Sequence, residues 1–395
     1  MYKKKIGLFS FDGPMYRDCN GVYCNTTITS NMFERYFEVV DELIVVIRTF
    51  HLTTTYVEAK MNKVELKGLK IIEVENLNSL KGILNKKRNA LKIEKYINKA
   101  DMIFARMPSI ISDMTISMAK KRKKPYLVEV GGCAWDSHWN HSLVGKIVAP
   151  YMFFKERKNI LDASFAIYVT QKWLQKRYPT KGMSTSASNV YLEKNDFKVL
   201  DNRKIRIKNL NKKNIFKIGT TAAIDVKYKG QDDVVKAISN LKKQGFNIQY
   251  ELVGGGDKKY IQNLSEKLSV SENVVFKGLL LKKDVIEWMD QIDLYIQPSK
   301  QEGLPRALVE AISRACPAIG SNTAGIPELL NDDCIFKAAS IREIENLIKK
   351  RYMNKEILIK ESEANFLKSK DFSIELLNEN RNKIYKRYRD VVIKK

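Results

Sequence analysis

The chain reads as an α/β protein built on two doubly wound parallel sheets. Apolar runs of strand length alternate with segments of helical period in both halves, the pattern that parallel sheets with crossover helices require. At 395 residues the chain is long enough for two separate cores. A composition of 44% hydrophobic and 10% aromatic residues fits a globular protein without repeats or low-complexity tracts.

In the first half, KKIGLFSF, LIVVIR, KIIEVE, MIFARM, PYLVEV and FAIYVT are the expected strands, with helices over Asn31 to Val40 and Ser109 to Lys121. The segment Asp12 to Thr27, rich in Gly, Asn and Asp, is expected to be a loop, either a substrate-facing lid or a disordered connector. Lys198 to Asn214 is polar and basic without an apolar period, and is expected to link residues 1–200 to residues 201–375. In the second half, KIGTTA, QYELVG, VVFKGL, LYIQPS and PAIGS are the expected strands. A last helix is expected over Ser373 to Val392, after a break near Ser369 to Phe372.

The segment QPSKQEGLPRALVEAISRACPAIGSNTAGIPELL, Gln297 to Leu330, carries the clearest chemistry. A buried strand ends in Pro298 and Ser299, a loop bears Glu302 and Gly303, and Pro305 suits the first position of a helix that carries Glu310 on its second turn. A loop carboxylate, free N–H groups at a helix N-terminus and a second carboxylate suit a polyol, a diphosphate and a ribose diol. A second unit, Lys217 to Asp257, reads as strand, Lys229-Gly230 loop, amphipathic helix and a strand closing in Gly254, Gly255 and Gly256. Backbone without side chains allows a nucleotide to approach closely, although three glycines alone also suit a plain turn.

The E-x(7)-E spacing, EGLP…EA, the strand CPAIGS and the GIPEL turn together resemble the donor site of retaining glycosyltransferase family 4. The likeness is specific from about Phe216 to Leu330 and is one of fold over the first two hundred residues. It implies a GT-B fold, two Rossmann-like domains facing across a cleft, with residues 376–395 crossing back to the first domain. It also implies a nucleotide diphosphate-sugar donor, UDP- or GDP-linked, with no cofactor and no metal. On this resemblance Glu310 accepts from ribose hydroxyls, Glu302 holds hydroxyls of the transferred sugar, and Lys229 neutralises the leaving diphosphate. Gly303, Leu304, Pro305, Arg306, Gly254 and Gly255 line the donor. The family pairs the lysine with an arginine at the end of the domain's first strand. This chain has Thr220 or Thr221 there, with Lys227 or Arg306 as replacement charges.

On the acceptor side, Gly21 is the nearest match to the family's glycine-rich turn. The stretch GGCAWDSHWNHS after PYLVEV gathers Trp135, Asp136, His138, Trp139 and His141, a set suited to stacking on sugar rings and bonding hydroxyls. Metal binding by His138, His141 and Asp136 is its rival, without a confirmed third ligand of the usual kind. The following segment, Ser142 to Leu161, mixes Leu, Val, Ile, Tyr and Phe with lysines and arginine. It is either a buried core helix or an interfacial helix for anionic lipid.

A net charge of +25 raises the local concentration of anions. With no recognised nucleic-acid reading motif, nucleic acid is not the expected partner. A glycan or lipid-linked acceptor fits the family. Five scattered cysteines and the lack of any run of 18 apolar residues point to a cytoplasmic protein, peripheral on the inner membrane face at most. The expected function is thus transfer of a sugar in cell-surface polysaccharide synthesis. A nucleotide-sugar epimerase or sugar phosphorylase on the same fold is the alternative, and a non-catalytic nucleic-acid-binding protein is the rival of another class.

Overall fold

A computed structural model describes residues 4–77, 82, 84–139, 143–192, 196–211 and 214–393. The chain divides into two compact units, residues 1–187 with 378–395, and residues 188–377.

The first unit is built on strands β1 (Ile6–Arg17) to β9 (Met183–Ser186). Its parallel part runs β5-β3-β1-β6-β7-β8-β9, and short β2 (Tyr23–Asn25) and β4 (Asn62–Lys63) add antiparallel beside β1. All six expected strands form: β1, β3 (Glu42–His51), β5 (Leu69–Val74), β6 (Met102–Met107), β7 (Leu127–Val130) and β8 (Phe165–Tyr168). β6, β7 and β8 are buried on both faces, which is why they read as continuous apolar runs.

The expected loop after β1 is largely sheet. β1 continues to Arg17 beside β3, turns, and returns as β2 with Tyr16 opposite Cys24. Asp12 also acts locally, accepting from the N–H groups of Ile110 and Ile111 at the start of helix Ile110–Lys121. Neither a lid nor a disordered connector describes this segment; it is a β-hairpin with a capping carboxylate.

The end of helix Ile374–Ile393 packs on this first unit. Tyr388 OH takes the Ile103 N–H and gives to the Pro125 carbonyl, while Tyr385 OH donates to Glu129 on β7. Burial would raise the Glu129 carboxyl, but Arg35 and Arg106 beside it hold it down at about 2.

The second unit holds six parallel strands in the order β12-β11-β10-β13-β14-β15 among the described residues. These are β10 (Phe216–Thr221), β11 (Ile248–Val253), β12 (Val274–Gly278), β13 (Leu294–Gln297), β14 (Ala318–Ser321) and β15 (Ile335–Phe336). β10 lies between β11 and β13, so the connection reverses direction there and leaves a crevice at the carboxyl ends of the strands.

The expected linker is corrected: Lys198–Lys208 is a helix of the second unit. Arg203 makes it so. Its guanidinium is buried and donates to the carbonyls of Met289 and Ile292, which otherwise end helix Lys282–Gln291 without partners. One buried arginine among lysines hides the apolar period that the sequence lacks. Lys212 and Lys213 of that segment lie outside the described residues.

Candidate functional site

Two loops at the carboxyl ends of β10 and β13 meet in the second unit. The first, after β10, ends in a 3-10 turn over Lys227–Lys229 and in Gly230 at φ 77°. The second leaves β13 through Pro298 and reaches helix Arg306–Ser313. Gly230 is required twice over: its left-handed backbone favours glycine, and a Cβ there would stand 2.2 Å from the Pro298 carbonyl oxygen.

The Lys229 ammonium lies 2.7 Å from Glu302 Oε1, with both side chains largely shielded. Gln297 steadies the same carboxylate, its Nε2 donating to Glu302 at 3.1 Å and to Ser299 Oγ at 2.9 Å. Tyr295 OH in turn donates to Gln297 Oε1 at 3.1 Å, which fixes the amide's orientation. Gln297 is a residue the sequence reading left out, since a strand-ending glutamine carries no motif by itself.

Pro305 is the N-cap rather than the first helical residue, with ψ 114°, so the helix begins at Arg306. The first-turn N–H groups of such a helix have no partner within it. Gly303 is tied down by its carbonyl, which accepts from Gly325 N–H at 2.9 Å, and Leu304 packs on the core. Arg306 is exposed. Burial pushes the Glu310 carboxyl up, against the pull of Arg306 and Lys282. Glu302 and Glu310 both bear on buried Tyr295, so the two carboxylates share one neighbourhood.

Thr220 needs correction as a donor residue. It is 1% exposed, donates to the Ile296 carbonyl and accepts from Tyr250 OH, so its hydroxyl belongs to the core. Lys227 is exposed, with its ammonium 4.9 Å from the Tyr260 ring centre. Gly254 packs against the loop after β10, where a Cβ would meet the Ala222 carbonyl at 2.0 Å, whereas Gly255 faces open space.

In the first unit, Trp135 and Trp139 lie on the short helix Ala134–Trp139 and stack on each other at 5.1 Å. Trp135 also packs edge-on against Phe153, and Lys146 covers Trp139. These rings therefore join their helix to helix Leu143–Leu161, which limits the ring face left for a sugar. Asp136 and His138 are half-buried on the same short helix, and His141 lies outside the described residues. Burial raises the Asp136 carboxyl while Arg177 opposes it. No group of three metal-ligating side chains occurs among the described residues.

Gly21 sits at the tip of the β1–β2 hairpin with φ 82°, beside the Arg17 guanidinium. Near it, Glu73 gathers Arg17, Tyr23 OH and His51 Nε2 within 3.4 Å. The sequence gives no sign of this cluster, because its members come from four strands.

Helix Leu143–Leu161 settles the choice between core and surface. Leu143, Val144, Ile147, Val148, Tyr151 and Phe154 are all exposed, Ile147 at 81%, and their spacing puts them on one face. Its acidic residue, Glu156, is buried beneath the other face, where it accepts from Ala134 N–H, and burial pushes its carboxyl up to about 8. Lys155 is not a free surface charge, since it pairs with buried Asp113 at 2.8 Å. No described helix is long and apolar enough to cross a membrane.

Comparison with known proteins fits this geometry. Residues 201–366 match the family model described as glycosyl transferases group 1. Protein CapJ of Staphylococcus aureus is 32% identical over 98% of this chain and 96% of its own length. The amylovoran biosynthesis glycosyltransferase AmsK of Erwinia amylovora is 28% identical over 26% of this chain and 27% of its own. Among solved structures, Anabaena HepE in complex with UDP superposes with a TM-score of 0.65 at 15% identity, covering 97% of this chain and 100% of that one. The fold is GT-B, with two Rossmann-like domains on parallel sheets, and the chain belongs to the group 1 glycosyltransferases.

Proposed function

We propose that this glycosyltransferase moves a sugar from a nucleotide diphosphate-sugar to a glycan or lipid-linked acceptor, with retention at the anomeric carbon, in the synthesis of a surface polysaccharide. The observation that carries this reading is the Lys229–Glu302 pair beside the Arg306–Ser313 N-terminus, with Glu310 one turn inside. A diphosphate carries more negative charge than one carboxylate, so it draws Lys229 away and leaves Glu302 to accept from sugar hydroxyls. Lys229 and the first-turn N–H groups then stabilise charge that grows on the leaving diphosphate as the glycosidic bond breaks. Gln297 keeps Glu302 oriented through the exchange. Glu310, partly buried, accepts from the ribose diol.

Retention by a double displacement needs a carboxylate nucleophile with a second carboxyl acid opposite it. In this reading Glu302 is held by Lys229 and Gln297 as a hydrogen-bond acceptor, so the acceptor hydroxyl attacks from the leaving-group face and passes its proton to the diphosphate. Such a reaction calls for no metal or further cofactor. The UDP complex of HepE and the name of AmsK support the donor class and a glycan product.

The exposed apolar face of helix Leu143–Leu161 supports work at an anionic membrane surface, on its cytoplasmic side. Lys146, Arg157 and Lys158 are exposed on the helix, and its acidic residue is buried. An apolar stripe with cations and no exposed anion on the same helix is complementary to a negatively charged lipid interface. The test of the chemistry is the anomeric configuration of the glycosidic bond formed, read by NMR and compared with that of the donor. Retained configuration supports the reading, and inverted configuration contradicts it.

A further inference from the structure

The two loops that carry Lys229 and Glu302 are fastened together at a residue outside the donor contacts. Lys300 lies two positions before Glu302 and donates its backbone N–H to the Tyr228 carbonyl at 2.7 Å. Its ammonium lies 2.7 Å from Asp233 and 3.7 Å from Asp232, in the first turn of helix Gln231–Lys243. Lys236 closes on the same two carboxylates at 3.0 and 3.2 Å. The aspartates are 8% and 4% exposed, so their charges are compensated by two lysines rather than by water. The Lys300 ammonium is thus held at the aspartates, while the chain on either side supports the site.

This arrangement fixes a distance the reaction depends on. Lys229 precedes Gly230 on one loop, and Glu302 follows Lys300 on the other. No secondary structure runs between them, and β10 and β13 are paired only at Ile218–Leu294 and Gly219–Tyr295, below the loops. Above those pairs, the Lys300 contacts and the close Gly230–Pro298 packing hold the loops in register.

We propose that Lys300 is a positioning residue for donor binding: by tying the Glu302 loop to Asp233 it keeps the sugar-binding carboxylate and the diphosphate-binding lysine at their working separation. The proposal rests on the donor reading given above. It requires that loss of the Lys300 charge loosen the site without removing any group that touches the donor.

The test is calorimetric titration of wild type, Lys300→Met, Lys300→Arg and Asp233→Asn with UDP-glucose, GDP-glucose and ADP-glucose, which carry the sugar that Glu302 holds, beside the melting temperature of each without nucleotide. For the nucleotide-sugar that wild type binds, Lys300→Met is expected to weaken affinity by about tenfold, given how steeply misplacement of site groups acts. Lys300→Arg, which keeps the charge, is expected to restore affinity to within about threefold, a fraction of the 1.4 kcal/mol that makes a factor of ten. Asp233→Asn breaks the same tie from the helix that follows the other loop and is expected to repeat the loss, which keeps the test decisive if Lys300→Met does not fold. Folded Lys300→Met or Asp233→Asn with wild-type affinity overturns the proposal alone. Wild type that binds none of the three overturns the donor reading and the proposal with it.

Discussion

Lys229 and Glu302, seventy-three positions apart in sequence, form one ion pair at 2.7 Å. Each is the counter-ion of the other, so in the proposed reaction neither acts on the donor until the pair opens. Lys229→Ala is therefore expected to lower turnover more than donor affinity, because an ammonium on the leaving group matters most as charge develops there. A charge-assisted contact of this kind is worth roughly 1.5 to 3 kcal/mol, or about one to two decades in rate. Steady-state kinetics of the folded variant decides it, and unchanged turnover moves the role to Lys227 or Arg306.

Arg203 offers a test of the fold. Its replacement by Met leaves the Met289 and Ile292 carbonyls without their buried donor. Arg203→Met is expected to cost roughly 2 to 4 kcal/mol in urea unfolding. A loss below about 0.5 kcal/mol would mean that water replaces the guanidinium.

Much of the fold was legible because its strands are apolar on both faces and its helices are periodic. Each failure has a local cause. The helix at Lys198–Lys208 was hidden because Arg203, a charged residue, occupies one of its buried positions. The β1–β2 hairpin was hidden because its turn residues, Asp18 to Val22, look like loop, and short strands of two or three residues carry no period. Of the residues that the family resemblance implies for a donor, Lys229 and Glu302 meet in the structure, whereas strand alternation turns the Thr220 side chain into the core. The cluster of Glu73, Arg17, Tyr23 and His51 was not legible, because its members meet only through strand pairing.

Glu156 gives a pH dependence of stability with a definite sign. Its carboxyl is raised by burial to about 8, above the 4.5 of an unperturbed glutamate. The folded chain thus keeps a proton that the unfolded chain releases, and the stability this contributes is full below about pH 4.5 and lost as pH rises through about 8. Glu156→Gln, which cannot ionise, is expected to gain stability relative to wild type on going from pH 5 to pH 8.5, on the order of a few kcal/mol. A difference in melting temperature between the two proteins that stays constant across that range would contradict the assignment.

Membrane contact is tested by co-sedimentation with vesicles. Wild type is expected to bind anionic vesicles at low salt, to weaken as salt rises, and to leave a residue of binding from its apolar side chains. Lys146, Arg157 and Lys158 changed to Ser, with Lys155 kept for Asp113, is expected to remove the salt-sensitive part. Ile147→Asp with Tyr151→Ser is expected to remove the rest. Wild type that ignores anionic vesicles at low salt points to a soluble acceptor or to a second protein covering that face.

The donor site itself is tested most directly by nucleoside diphosphate binding to wild type and to Glu310→Ala. Titration with UDP, GDP and ADP is expected to find one that binds wild type and stabilises it by about 2.7 kcal/mol at a hundred times its Kd. Glu310→Ala is expected to bind that nucleotide more weakly by roughly 1.5 to 3 kcal/mol, while Glu302→Ala binds it as wild type does. Wild-type binding should also weaken as pH falls into the raised range of the Glu310 carboxyl, since the proton displaces its hydrogen-bond acceptor. Equal nucleotide affinity in wild type and Glu310→Ala, at neutral pH and in folded protein, would contradict the placing of the ribose at Glu310.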